Sequence, residues 1–125
     1  MKKYFASLII AILLSLTISA MAADQVNVVG YTPTAYSRLT VTTLAASQLS
    51  SSYVDTAGAV FITVETNNIR YRIDGGTPSF NFGHLVNVSA FQNIWLNDPA
   101  SIKAFRVIAI GGNAILHITY YKRNL

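Results

Sequence analysis

The sequence predicts an all-β fold, namely a single antiparallel β-sandwich or jelly-roll-like domain that follows a secretory signal peptide. Three observations predict it: a short apolar stretch at the N-terminus, alternation of apolar and polar residues in the rest of the chain, and turn residues between the alternating segments. The chain has 125 residues and no cysteine. Without a signal peptide about 100 residues remain, which is the size of one domain.

Residues 1–22 have the three parts of a secretory signal peptide. Two lysines form a positive start, an apolar stretch follows, and Ala20 and Ala22 form an A-x-A cleavage site. The apolar stretch is shorter than the roughly 20 residues that a membrane-spanning helix needs. We therefore expect cleavage after Ala22, a secreted or periplasmic location, a β-sandwich domain at residues 23–125, and no stable membrane insertion after cleavage.

The alternating segments predict about seven strands and no long helix. Residues 60–65 and 69–74 flank a Thr-Asn-Asn turn, and residues 102–110 and 114–122 flank a Gly-Gly-Asn turn. Both arrangements are typical of β-hairpins. Further strands are predicted at residues 25–31, 37–42, 84–89 and 93–98, and residues 44–49 are predicted as one helical turn or a loop.

The same alternation predicts which side chains form the core and which strands are open. Segments 60–64 and 115–121 are strongly β-prone and carry little charge, so we expect one of them to be an open sheet edge that supports a homo-oligomer. The predicted core residues are Ile69, Tyr71, Ile73, Phe105 and Val107.

Charge and ligand-type residues exclude several classes of partner. Nine basic and five acidic residues give a net charge of +4. The basic residues of the predicted domain are scattered, whereas nucleic-acid binding needs a patch or stripe, so we predict no nucleic-acid partner. Because cysteine is absent and the chain has two histidines, few ligands exist for a structural zinc site. We predict no metal and no cofactor.

The titratable residues do not form a catalytic pattern. Neither His84 nor His117 belongs to a G-x-S-x-G or H-x-x-x-H motif. We interpret His117 as a cross-strand packing or rim residue and expect the His84 ring to form a hydrogen bond with the turn that begins at Asp74. Glu65 and Asp74 lie at opposite ends of a predicted hairpin, so ion pairing, for example of Glu65 with Arg70, is favoured over acid–base catalysis. The sequence thus predicts no enzyme.

Aromatic residues supply the candidate binding sites. Trp95 is flanked by two asparagines and an aspartate, and in lectin-like sandwiches exposed rings stack on sugars while such polar groups bind hydroxyls. The alternative interpretation is that a lone tryptophan fills the sandwich core. The loop at residues 76–83 offers a second aromatic surface. The candidate ligand-binding residues are Trp95, Asn93, Asn97, Asp98, Phe80 and Phe82.

A pattern of core, turn and exposed positions extends from Val60 to Tyr121. It consists of the segments VFITVET (60–66), IRYRIDG (69–75), TP (77–78), GHL (83–85), AFR (104–106) and LHITY (116–120). This pattern resembles a family of small β-sandwich proteins that are encoded among bacteriophage structural genes. The resemblance implies a virion or tail accessory part rather than an enzyme. Phage structural proteins rarely carry a signal peptide, so the N-terminus favours an exported relative of that domain.

We interpret the chain as a non-enzymatic exported module for structure or surface interaction, which self-associates through a sheet edge and binds a glycan or cell-surface ligand. The alternative is a carbohydrate-binding module that uses Trp95 and its polar neighbours. An exposed Trp95 beside a polar surface favours the carbohydrate-binding module. A buried Trp95 together with long, flat edge strands favours the structural module.

Overall fold

The described part of the chain, residues 30–124 of a computed structural model, is built from eight antiparallel strands and two short helices. The strands are β1 (Tyr31–Val41), β2 (Ser47–Gln48), β3 (Ala59–Glu65), β4 (Ile69–Arg72), β5 (His84–Val86), β6 (Asn93–Leu96), β7 (Arg106–Ala109) and β8 (Ala114–Arg123). The helices are α1 (Ser51–Val54) and α2 (Pro99–Ala104), and a 3-10 turn covers Val88–Ala90. The signal-peptide prediction and residues 25–29 of the first predicted strand lie outside the described residues.

The strands form two four-stranded sheets that face each other. Sheet A has the strand order β1-β8-β3-β6, and sheet B has the order β2-β7-β4-β5. β1 pairs with β8, β2 with β7, β3 with β6 and β4 with β5, so the two halves of the chain run side by side as four successive antiparallel pairs. Rolled into two sheets, this arrangement is a jelly roll. The predicted all-β sandwich is confirmed.

Both predicted hairpins are wrong. β3 and β4 belong to different sheets, and so do β7 and β8, because the turns between them carry the chain from one sheet to the other. The two turns also bind each other, since the Thr66 hydroxyl and the Asn67 side-chain amide donate to the Asn113 carbonyl at 3.0 and 2.9 Å. Alternation predicts which face of a strand a side chain occupies, but the same alternation occurs in a hairpin and in a crossover between sheets. It therefore does not predict which strands pair.

The core lies between the sheets and is filled by alternate residues of each strand. In β8, Leu116, Ile118 and Tyr120 are buried, while the residues between them are half-buried on the outer face. As predicted, Tyr71 stacks on buried Phe105, with ring centroids 5.6 Å apart. The core also contains the predicted residues Ile69 and Val107.

Three other sequence predictions need correction. Ile73 is not a core residue: it is 38% exposed because β4 ends before it. Residues 44–49 contain a bend and the two-residue strand β2, so the predicted loop describes residues 44–46 and the alternative of a helical turn is wrong. The start of the predicted strand 102–110 is helix α2, because Asp98 accepts a hydrogen bond from the Ser101 amide at 2.9 Å and Pro99 occupies the first turn.

The open edges are not the strands that the sequence predicted. β3 and β8 are the two central strands of sheet A, whereas its edges are β1 and β6. β1 is the long edge, with 11 residues. Pro33 and a register shift between Pro33 and Ala35 interrupt its pairing near the start, which is a common way to blunt an edge. No helix within residues 30–124 is long and apolar enough to cross a membrane.

Candidate binding face

The outer face of sheet A carries two rows of side chains that run across all four strands. Strand register and alternation define both rows, because residues paired across strands point to the same face. The aromatic row consists of Tyr36, Thr119, Phe61 and Trp95. The polar row consists of Arg38, His117, Thr63 and Asn93.

Trp95 lies on this face and does not fill the core. Ile94 and Leu96 fill the core from β6, so alternation directs Trp95 outward, where it is 44% exposed. Three rings surround it: Tyr121, Tyr31 and Phe61, with centroid distances of 5.2, 5.9 and 6.1 Å and interplanar angles of 61°, 85° and 51°. None of these rings stacks in parallel on the indole. We call these four residues the aromatic cluster.

The predicted polar neighbours of Trp95 have different surroundings. Asn93 lies two residues before Trp95 on the same outer face and is exposed. Asn97 follows the end of β6 and is also exposed. Asp98 is occupied as the N-cap of α2, where hydrogen bonds from the Ser101 amide and hydroxyl lower the pKa of its carboxyl group. Asn93 is therefore the predicted neighbour that lies on the outer face within β6 itself.

Phe80 and Phe82 form a separate surface on the other side of the sandwich. Their exposed fractions are 64% and 61%, and both belong to the loop that joins β4 to β5 in sheet B. The Arg72 guanidinium lies 4.9 Å from the centroid of the Phe82 ring and forms a bidentate pair with Asp74. A shallow cavity of about 370 Å³ adjoins this contact. The two aromatic surfaces predicted from the sequence are thus far apart in the fold.

His84 does not make the predicted hydrogen bond to the turn that begins at Asp74. Within residues 30–124, the Asp74 carboxylate accepts hydrogen bonds from Arg72 and from the Gly76 amide. The exposed His84 ring instead lies against Tyr71, with the ring centroids 5.2 Å apart. His84 and Asp74 line the same shallow cavity, so the predicted proximity of His84 to this turn is correct. The predicted hydrogen bond between the ring and the turn is wrong.

The Arg72–Asp74 pair predicts a measurable titration. The Arg72 side chain, followed by the Gly76 amide, lowers the pKa of Asp74 from 3.8 to about 2. Because the folded pKa is depressed, the pair stabilises the fold above the unfolded pKa, and this contribution is lost as the pH falls through about 2. We expect NMR titration to give a carboxyl pKa near 2 and Arg72→Gln to raise it toward 3.8. An equal rise in Arg106→Gln, whose guanidinium donates to backbone carbonyls, would contradict the direct contact.

His117 connects Tyr36 to Glu65 on the outer face. The Tyr36 hydroxyl hydrogen-bonds His117 Nδ1, and the two rings are nearly parallel with centroids 6.0 Å apart. His117 Nε2 lies 3.1 Å from Glu65 Oε2, without the geometry of a hydrogen bond. The predicted pairing of Glu65 with Arg70 is wrong, because Arg70 donates to the carbonyls of Phe80 and Gly83.

Sequence reasoning missed most of this face. Alternation in β3 and β8 does direct Phe61, Tyr121 and His117 outward, and this signal was present in the sequence. What brings them to Trp95 and Tyr36 is the sheet order, which places β8 and β3 between β1 and β6. In residues 30–124, no three carboxylate or imidazole side chains come together as a potential metal site.

The fold and the face define an antiparallel jelly-roll domain with an aromatic and polar outer surface on one sheet. The chain matched no protein-family model, no curated protein and no solved structure. The resemblance to phage structural proteins stays a prediction. Any functional assignment therefore depends on the chain's own residues.

Proposed function

We propose that this protein is a non-enzymatic exported module that binds carbohydrate through the aromatic cluster around Trp95. The observation that carries the proposal is the partial exposure of Trp95 on the outer face of sheet A, surrounded by three further rings. A contiguous patch of large, exposed apolar groups indicates an interaction site. Tryptophan and tyrosine are also enriched among the residues that contribute most to binding energy. The signal-peptide pattern supports export.

Carbohydrate suits the chemistry of this face better than a purely apolar ligand does. A sugar ring has an apolar C–H face that stacks on an aromatic ring and hydroxyl groups that need hydrogen-bond partners. Asn93, Thr63 and Thr119 lie beside Trp95 and Phe61 in the two rows and carry donors and acceptors for hydroxyls. The stacking surface and the hydrogen-bonding groups therefore adjoin each other.

Two features argue against catalysis at this face. A glycosidase needs two carboxyl groups about 5–9.5 Å apart, flanking the scissile bond. Glu65 is the carboxylate on the described outer face of sheet A, and it is directed to His117. The carboxylates of Asp74 and Asp98 are engaged with Arg72 and Ser101. We therefore propose binding without hydrolysis.

The test is glycan binding by matched aromatic variants. Trp95→Ala removes the centre of the cluster, so we expect at least a tenfold loss of affinity, which corresponds to about 1.4 kcal/mol. Trp95→Phe keeps a stacking ring and should retain part of the affinity. The matched control is Phe80→Ala, which truncates an exposed ring in the loop that joins β4 to β5. A glycan array followed by calorimetry measures these effects. Loss in Phe80→Ala with normal binding by Trp95→Ala would overturn the proposal.

Self-association through β1 is the second candidate function. β1 is an 11-residue edge strand, whereas the other three edge strands have two to four residues. A long edge presents unpaired backbone groups that a second copy can extend. Pro33 blunts the start of β1, so the free length lies in its C-terminal half.

This second function predicts association at micromolar concentration in sedimentation experiments. Thr40→Lys places a charge on the free half of the edge and should return the protein to a monomer. Thr119→Lys is the matched control, since it adds the same charge on the same face but in the central strand β8. A strictly monomeric wild type, or an oligomer disrupted equally by both lysines, would contradict edge pairing.

A further inference from the structure

The outer face of sheet A carries two arginines that no described carboxylate neutralises. Arg38 lies in the polar row, two residues from Tyr36 on β1. Arg123 pairs in register with Tyr31, at the end of the sheet that holds the aromatic cluster. Both side chains are exposed, and within residues 30–124 neither forms an ion pair. The face therefore has two cations available for a ligand.

Two other cations of residues 30–124 are paired with carboxylates, whereas Arg70 and Arg106 donate to backbone carbonyls and Lys122 lies on the opposite side of β8. Arg72 is paired with Asp74, and Lys103 lies 3.0 Å from Asp55. On the outer face of sheet A, the carboxylate of Glu65 is directed to His117 rather than to either arginine. The hydrogen bond between the Tyr36 hydroxyl and His117 Nδ1 joins the polar row to the aromatic row. Arg123 therefore lies at one end of the face, and Arg38 lies one row before the other end, where Glu65 is directed to His117.

The spacing of the two arginines indicates a ligand of several units. Arg38 is level with His117, and Arg123 lies six positions after His117 in β8. At a strand rise of roughly 3.4 Å per residue, this separation is about 20 Å. Along the strand direction, the aromatic row and Tyr121 lie between these two levels, and Tyr31 is level with Arg123. A single sugar ring is too short to reach both cations, whereas an oligosaccharide that stacks on the cluster can do so.

We propose that the ligand is an anionic oligosaccharide whose acidic groups bind Arg38 and Arg123 while a sugar ring stacks on the aromatic cluster. The inference rests on the proposed carbohydrate binding and specifies its ligand class. A guanidinium presents a planar fork of donors that binds a carboxylate or a sulfate ester through paired, charge-assisted hydrogen bonds. The acidic group belongs either to a uronic acid or to a sulfated sugar.

The experiment measures binding of the purified protein to three probes: polygalacturonate, dextran sulfate and neutral dextran. We expect Arg38→Gln and Arg123→Gln each to weaken binding to one of the anionic probes at least tenfold and their combination to weaken it further. Neutral dextran should bind more weakly than that probe and equally to wild type and variants. The preferred anionic probe identifies the acidic group as carboxylate or sulfate. Added salt should weaken the anionic complex of the wild type more than that of the double variant.

Two variants separate this inference from its alternatives. Lys122→Gln removes an exposed charge next to Arg123 on the opposite side of β8, so it should leave binding unchanged. An equal loss of affinity in Lys122→Gln would mean that net charge alone, and not the position of the arginines, determines binding. That result would overturn the inference. Wild-type affinity of the double arginine variant, with affinity lost in Trp95→Ala, would overturn the anionic ligand but keep carbohydrate binding. Unchanged binding by Trp95→Ala would instead overturn the proposed function.

Discussion

Tyr120→Ala is expected to lower the free energy of unfolding by about 3–5 kcal/mol, the range for truncating a large buried aromatic residue. Tyr120 is 1% exposed in the central strand β8, and its ring lies 4.9 Å from that of Tyr53 in α1. Truncation therefore leaves a cavity between the sheets and releases the helix that packs on them. Because domains are stable by only about 5–15 kcal/mol, this loss removes much of the margin. Urea denaturation measures it.

Two variants show whether the ring or the hydroxyl of Tyr120 carries this stability. The hydroxyl accepts a long hydrogen bond from Ser37 Oγ at 3.3 Å, so Tyr120→Phe should cost about 1 kcal/mol or less. Phe80→Ala truncates an exposed ring and should lie within about 0.5 kcal/mol of wild type. If Tyr120→Ala cost no more than Tyr120→Phe, the assigned packing between the sheets would be wrong.

Gly83→Ala is expected to destabilise the fold by about 3 kcal/mol, through backbone strain and overpacking that each cost about 1–3 kcal/mol. Gly83 has a φ of 125°, which side-chain-bearing residues rarely adopt. An added Cβ would lie 3.0 Å from the Tyr71 carbonyl oxygen and 3.3 Å from Pro78 Cβ. The substitution would also displace the Gly83 carbonyl that accepts a hydrogen bond from Arg70 at 2.8 Å.

Gly75→Ala is the matched control for Gly83→Ala. Gly75 also has a positive φ, 79°, but a Cβ there would have no neighbour within 4 Å. Gly75→Ala should therefore lower the free energy of unfolding only through backbone strain, by about 1–2 kcal/mol. Thermal and urea unfolding of both variants separates strain from crowding. Equal losses at the two glycines would mean that the close approach of the loop to β4 contributes nothing.

The residues next to Trp95 in the sequence are enough to predict which way its side chain points. The order Asn93, Ile94, Trp95, Leu96 places two aliphatic residues on one face of a strand and Trp95 on the other. From the sequence alone, this pattern predicts a tryptophan that faces outward. The alternative interpretation is that a lone tryptophan fills the sandwich core. The aliphatic residues decide the case, because a half-buried strand commits one face to the core. The rings around Trp95 come from β1, β3 and β8, and no local pattern predicts that association.

The error over the hairpins has a different physical origin. Residues 66–68 and 110–113 have the composition of tight turns, and the segments beside them alternate as paired strands do. Whether such a turn closes a hairpin or crosses to the other sheet depends on which strands are already paired. β3 pairs with β8 on one side and with β6 on the other, so neither of its sides is left for β4. The strands that compete to pair with β3 are distant in sequence, so the residues of the turn do not determine which strand pairs with it.

The sequence by itself determined the all-β class, the inward face of most strands and the turn positions, because alternation and turn residues act over a few neighbouring residues. Tertiary structure alone decided the strand order, the open edge at β1 and the two rows across sheet A. These features depend on pairings between distant segments, such as Arg38 with His117 and Phe61 with Trp95. Since a side chain's neighbours across a sheet are set by register, the candidate site exists only once the sheets have formed.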